Sequence, residues 1–348
     1  MTGGSYVRLE DVARHAGVSL ATASRVLQGS SHRGRPEYRA KVMASAAELG
    51  YIPNPHARAL AANTSDTIGL VIHDVRDPYF ALIAGGAIDV ATARGQFVTM
   101  ACTYRDPELE ARYIANLRAQ RVRAIILAGS AFVDAATSKA MTTELESYYN
   151  AGGSVVSITR HRLPGDCLVV GNRSGAADLA RRLVDLGHTS FALLAGTTRL
   201  VTIRDRVAGF KKGLAESGIE VDPAFEVSGT FDHDGGLRAT QQLLASGRLP
   251  TCIFASNDVM ALGALTALRR AGVDVPGEVS VAGFGDVVMA RDFVPTLSTV
   301  HLPLEEMGAH AMELALRDER GSSPRKVTIN GEVVLRESTG PAASRRRR

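Results

Sequence analysis

The residues near the start of the chain best suited to chemistry are three hydroxyls and a guanidinium: Ser19, Thr22, Ser24 and Arg25, all within LEDVARHAGVSLATASRVL, residues 9–27. Thr22 and Ser24 suit backbone phosphates, while an arginine fork matches either a phosphate or guanine O6 and N7. Leu20 and Ala21 beside them offer only apolar contact, of the kind a thymine methyl accepts. A second polar set stands at the ends of apolar runs: His73 and Asp74, Ser130, Arg160, Asn172, Asn257 and Asp258. Such groups suit a bound ligand. The chain has no GxxxxGK[ST] loop, GxSxG elbow or HExxH, and no GxGxxG after a strand. Asp232-His233-Asp234 lies in a Gly-rich loop and reads as a solvated turn. No catalytic residue, metal site or cofactor is expected.

The elements that must position these groups follow from periodicity. Leu9, Val12, Ala13 and Ala16 recur at helical spacing, Gly17 interrupts, and Val18, Ala23, Val26 and Leu27 resume the pattern. That is a helix, a turn and a second helix. Ser19 is placed to cap the second helix, and Gly17 suits the turn. Leu20, Ala21, Thr22 and Arg25 then face outward on a helix of the size that enters a major groove. Pro36 opens a third helix, PEYRAKVMASAAELG, with Val42, Ala46 and Leu49 on one face and Gly50 as its stop. HARALAA, after Pro53 and Pro55, is about two helical turns, too short to hold alone, and is expected to be disordered until something packs on it.

From Thr67 the pattern is apolar strand, turn, helix. TIGLVIHD, QFVTMAC, RAIILAG, SVVSITR, CLVVGN, SFALLAG, TCIFASND and VSVAGFG read as strands, most of them separated by helical stretches. This alternation predicts parallel α/β sheets, and eight strands at this spacing predict two subdomains. Ligands of open α/β sheets sit beyond the carboxyl ends of the strands, where the second polar set lies.

Composition bounds the rest. The chain has 348 residues, 45% of them hydrophobic and 22% charged, enough for two or three globular domains. No stretch is apolar enough to span a bilayer and MTGGSYVRLED lacks a signal-peptide core, so no membrane association and a cytoplasmic location are expected. Cys102, Cys167 and Cys252 are odd in number and unpaired in spacing, which predicts buried reduced thiols. Residues 1–63 hold eight basic and four acidic side chains, and Arg345 to Arg348 end the chain, leaving the long remainder net acidic. A basic head on an acidic body suits a polyanion partner. The arginine tail reads as a disordered terminus without leucine heptads, so no tetramerising coiled coil is expected.

DVARHAGVSLATASRVLQGS, AAELGYIPNPHARALA and TIGLVIHDVRDPYF, then LGH at 186–188, RDRVAGF, FASNDVMALGAL, VPGEVSVAGFGD, PTLSTV and VLREST, resemble the successive blocks of the LacI/GalR family of transcriptional repressors, from about Val7 to about Thr339. The resemblance implies a three-helix helix-turn-helix domain with a hinge helix over 1–63, and an effector-binding and dimerisation domain of two α/β subdomains, like periplasmic binding proteins, over 64–340. A disordered basic tail, 341–348, follows. It implies a repressor that binds operator DNA as a homodimer under control of a small molecule. The DNA contacts expected are Ser19, Leu20, Ala21, Thr22, Ser24 and Arg25, with Asn54, Arg58 and Leu60 from the hinge, where Leu60 wedges into the minor groove. Ala23 stands where relatives usually carry Val, which predicts an underpacked spot costing about 1 kcal/mol unless a neighbour fills it.

The resemblance also places Phe80, Arg160, Arg206, Phe231 and Asn257 in the effector cleft, with Asp74 beside them. Gly171 and Gly285 stand where relatives commonly place an aspartate. Their loss predicts a roomier and more positive cleft, and hence an anionic effector, a sugar phosphate or carboxylate rather than a neutral sugar. Two rival readings are a periplasmic-type solute-binding receptor, against which the basic head argues, and a DNA-linked enzyme, which lacks a catalytic constellation.

Overall fold

In a computed structural model, residues 7–27, 36–52, 65–159, 163–197, 199–317 and 323–342 are described. The hinge segment with Asn54, Arg58 and Leu60, together with Arg160 and the tail from residue 343, lies outside them. The contacts divide the chain into two compact units, Met1–Asp66 with Ala119–Val122, and the remainder.

The head holds α1 (Leu9–His15), α2 (Leu20–Leu27) and α3 (Pro36–Glu48). Gly17 adopts φ +66°, where an L side chain is strained, and so turns the chain between α1 and α2. Val12, Ala13, Ala16, Ala23, Val42 and Ala46 form the core, with Val18, Val26, Leu27 and Leu49 packed around it. Ala23 has no exposed surface. Its neighbours enclose it, so no solvent reaches the place of the missing methyls.

The body runs β1 (Thr67–Ile72), α4 (Pro78–Ala93), β2 (Phe97–Cys102), α5 (Pro107–Ala119), β3 (Ala124–Ala128), α6 (Lys139–Asn150), β4 (Ser154–Ile158), β5 (Asp166–Val170) and α7 (Asn172–Asp185). It continues with β6 (Phe191–Gly196), α8 (Val201–Ala215), β7 (Glu226–Ser228), α9 (His233–Ala245), β8 (Cys252–Ala255), α10 (Asp258–Arg270), β9 (Ser280–Ala282) and α11 (Met289–Asp292). Last come β10 (Thr299–His301), α12 (Leu304–Ala315), β11 (Lys326–Ile329) and β12 (Glu332–Val334). One sheet is ordered β11-β5-β4-β3-β1-β2, a second β7-β6-β8-β9, and β10 pairs with β12 alone. Every pairing within the two larger sheets is parallel, and β10 with β12 is antiparallel. The two subdomains expected from the strand count are therefore present, with all eight expected strands and four more.

Near-continuous apolar runs such as AIILA in β3 and FALLAG in β6 are buried along their whole length, as strands covered on both faces must be. Cys167 and Cys252 are buried and form no disulfide, while Cys102 is partly exposed at the end of the edge strand β2, short of the full burial expected. The chain passes between the sheets three times: after β5, between β10 and α12, and between β11 and β12. At the second crossing Asp286 is gripped by Arg336 (2.7 Å), His301 (2.9 Å) and Arg291 (3.0 Å). These partners tie the crossing segments together.

Candidate functional site

In the head, Ser19 Oγ accepts a hydrogen bond from the Thr22 backbone N–H at 3.2 Å, the expected cap. It also pairs with the Thr22 hydroxyl at 2.8 Å. The cap fixes where α2 begins and therefore which side chains face out. Leu20 is 46% exposed, not folded onto the core; Ala21 and Arg25 are exposed, and Thr22 and Ser24 half-exposed. Arg25 Nε donates to the Ala21 carbonyl at 3.2 Å, which lays the side chain back along the helix. An exposed leucine beside an arginine is the kind of surface that reads a groove.

In the body a cavity of about 540 Å³, its open mouth included, lies at the carboxyl ends of both sheets. Residues just past β1 (His73, Asp77), β2 (Arg105), β3 (Ser130) and β4 (Thr159) form one side. Residues past β6 (Thr202, Arg206), β7 (Phe231), β8 (Asn257, Asp258) and β9 (Phe284) form the other. A parallel sheet aims all its strand ends at one edge, so two such sheets face their ligand groups at each other.

Phe80, Arg206, Phe231 and Asn257 line this cavity, as the sequence reading placed them. Asp74 does not. Arg76 takes both its oxygens, Nε at 3.0 Å and Nη2 at 2.8 Å, and this pairing holds the Asp74 carboxyl below its ordinary range. Gly171 and Gly285 are also outside the wall. Gly171 precedes α7 at the first crossing, with Ser174 and Asn330 nearest to it. Gly285, at φ +136°, backs onto Asp258. The wall carries Asp77 and Asp258 against Arg105 and Arg206. Neither glycine borders this space, so its charge is set by these acids and guanidiniums rather than by the two glycine positions.

Each charged group has its own situation. Arg206 is buried to 3% exposure, donates to Asn172 Oδ1 (2.8 Å) and the Ser256 carbonyl (2.7 Å), and lies 4.0 Å over the Phe284 ring. Burial lowers its pKa to about 10, so it stays protonated at neutral pH. Asp258 accepts from the Thr299 hydroxyl (2.5 Å) and the Val287 N–H (2.9 Å), and burial raises its carboxyl to about 6. Asp77 caps α4 by accepting from the Tyr79 N–H at 3.1 Å; burial raises its pKa. Asn257 caps α10 through its carbonyl oxygen, leaving the NH2 end for the cavity it lines. His73 is 3.1 Å from the Thr103 hydroxyl and 3.4 Å from the Ser130 carbonyl, and meets Phe80 edge-on.

Aromatic faces on both sides, with directional donors between them, suit a small polar ring. Sequence reasoning missed Arg105, Tyr79, Thr159 and Thr202. Their signal was position alone, within a few residues of a strand end or helix start. Asp232, from the acidic grouping, caps α9 by accepting from Gly235 at 2.7 Å, and no group of metal-ligating side chains exists among the described residues. No described helix is long and apolar enough to cross a membrane.

Comparison with known proteins gives a consistent picture. The profile of bacterial regulatory proteins, lacI family, matches residues 8–54, and that of the periplasmic binding protein-like domain matches 180–339. The chain is 37% identical over 311 residues to the HTH-type transcriptional regulator GalR of Escherichia coli strain K12, covering 88% of each. It is 32% identical over 333 residues to the HTH-type transcriptional regulator DegA of Bacillus subtilis strain 168, covering 95% of this chain and 97% of that one. Among solved structures, the lac repressor dimer bound to operator and the anti-inducer ONPF superposes with a TM-score of 0.83 at 28% identity, over 97% of this chain and 100% of that one.

Proposed function

The chain belongs to the lacI family of DNA-binding transcriptional regulators, and from that premise we propose that it is an effector-controlled repressor acting as a homodimer on a pseudo-palindromic operator. The observation that carries this reading is the outward face of α2: Leu20, Ala21 and Arg25 are exposed on a helix whose start is set by Ser19 and Gly17. Leu20 and Ala21 meet thymine methyls, Arg25 takes a guanine edge, and Ser19, Thr22 and Ser24 seat the helix on phosphates. Asn54, Arg58 and Leu60 complete the DNA contacts, Leu60 as an apolar wedge at the operator centre. Domain limits of 1–63, 64–340 and 341–348 remain our assignment.

Phe80, Arg206, Phe231 and Asn257, with Arg160, hold the effector, a ligand of the sugar, sugar phosphate or carboxylate class. It acts through its unequal affinity for two arrangements of the lobes. The dimer reading draws support from β2, an edge strand on which Phe97 is 74% and Met100 40% exposed. Binding of the purified protein to randomised duplexes, followed by sequencing, tests the reading. A symmetric site with a deformable central step is the expected result. An absence of sequence preference at moderate salt, with and without a metabolite library, would overturn it.

A further inference from the structure

We propose that Arg105 selects the effector: its Nε–Nη2 edge takes the oxyanion of a small polyhydroxylated acid, exchanging Asp77 for the ligand. This inference rests on the cavity being the effector site.

The backbone first. Arg105 follows β2 at once, and it enters the cavity because Tyr104 and Arg105 both adopt left-handed conformations, φ 50° and 62°. Side chains rarely hold two such conformations in succession without a surrounding structure that enforces them. Here the Tyr104 N–H donates to the His73 carbonyl at 2.7 Å and the Thr103 N–H to the Ile72 carbonyl at 3.0 Å, which lock the turn against β1.

The side chain is poorly served where it lands. Its side chain is only 25% exposed, yet Nε is buried with no hydrogen-bond partner among the described residues. Nη2 stands 3.8 Å from Asp77 Oδ2, close enough for attraction and too long for a hydrogen bond. The guanidinium lies 5.5 Å from the centre of the Phe231 ring. An arginine keeps its charge under these conditions, so a buried donor on a cation waits without an acceptor.

The rest of the wall is already occupied with itself. Asp258 spends its oxygens on Thr299 and Val287, Asp77 spends Oδ1 on Tyr79, and Asn257 spends its carbonyl oxygen on Met260. Arg206 donates to Asn172 and to the Ser256 carbonyl. These acceptors are thus committed within the wall, Asp77 Oδ2 standing off at 3.8 Å, while Arg105 keeps the donor edge that fits two oxygens of one acid group side by side. A hydroxyl of a neutral sugar meets one of these donors and leaves the charge uncompensated. A carboxylate and a phosphate share the required chemistry.

Asp77 is a provisional partner in this arrangement. It belongs to the lobe of the six-stranded sheet, as Arg105 does, whereas Phe231 belongs to the other lobe. A ligand acid that draws Arg105 off Asp77 while the guanidinium remains over Phe231 acts on the contact between lobes.

The test uses the full chain and isothermal calorimetry with matched probes: galactose against galacturonate, and glucose against glucuronate and glucose 6-phosphate. The acid of at least one pair is expected to bind at least tenfold more tightly than its parent sugar, the uronate and phosphate arms showing which oxyanion fits. Arg105→Gln should reduce that preference below threefold, and Arg105→Lys, which keeps charge without the fork, should fall between. Asp77→Asn retains an oxygen to cap α4 and should raise the ratio of acid to neutral-sugar affinity severalfold, a result that a merely structural Arg105 would not produce. Neutral sugars binding as tightly as the acids, a preference that survives Arg105→Gln, or no response to any acid would each overturn the proposal. Calorimetry requires no DNA and duplex selection requires no ligand, so failure here is distinct from failure of the regulator reading.

Discussion

Replacing Asp258 with Asn should remove a pH dependence of stability that runs opposite to that of most aspartates. The usual paired aspartate has a depressed pKa in the native state, so acid destabilises the fold. Asp258 is the reverse: burial raises its carboxyl from about 3.8 to about 6, so the native state takes up its proton before the unfolded chain does. Stability contributed by this group therefore increases as pH falls through 6 and levels off below the unfolded value near 3.8. Proton linkage with these two values gives about 2 kcal/mol between pH 7 and pH 4.5, and about 3 kcal/mol at the plateau.

Asn preserves the shape, and its oxygen can still accept from the Val287 N–H, now 2.9 Å from Asp258 Oδ2. Urea unfolding of both proteins across pH 4.5 to 7.5 isolates the effect, because carboxyls remote from Asp258 cancel in the difference. These include Asp74 and Asp222, which are shifted downward. The wild-type protein should gain on the variant steadily as the solution is acidified. Parallel stability curves would refute the reasoning, and so would a difference that widens in favour of the variant at low pH.

Ser19→Ala should cost about 1 kcal/mol in α2 by removing the oxygen that accepts from the Thr22 N–H, seen as roughly fivefold faster hydrogen exchange at the start of the helix. Arg25→Ala should relax preference at one symmetric pair of operator positions, at about 1–3 kcal/mol per contact; equal loss on every duplex would mean that Arg25 touches only phosphate. Gly285→Asp should destabilise the body by about 1–3 kcal/mol, because the new side chain must hold φ +136° with its Cβ 3.3 Å from Asp258 Oδ2. A lower melting temperature that partly recovers in acid is the expected signature, since one of the two facing carboxyls then becomes neutral.

Much of this fold was legible because the signals were local. The turn at Gly17, the cap at Ser19, the outward Leu20 and all eight apolar runs that become strands depend on residues within one turn or strand of each other. The four strands that were not foreseen, β7, β10, β11 and β12, are three or four residues long, and most of their positions are exposed or only partly buried, so they carry no apolar run. They exist because a distant partner offers an edge: β11 pairs with β5 across more than 150 residues, which no periodicity reveals. The cavity shows the same division. Phe80, Arg206, Phe231 and Asn257 follow from strand ends and motif blocks, whereas Arg105 depends on two non-glycine residues adopting positive φ. Asp74 and Asp77 are three residues apart with the same chemistry. Arg76 takes up the first, while the cap on α4 holds the second at the ligand space.

The late arrival of β11 also matters during synthesis. The outermost strand of the first sheet is Lys326–Ile329, translated after the whole second sheet. A nascent polypeptide short of Lys326 carries β5 as a bare edge, able to recruit a strand from a neighbouring ribosome's product. Release from that hazard comes only when the final segment emerges, so termination between β5 and Lys326 leaves that edge uncovered.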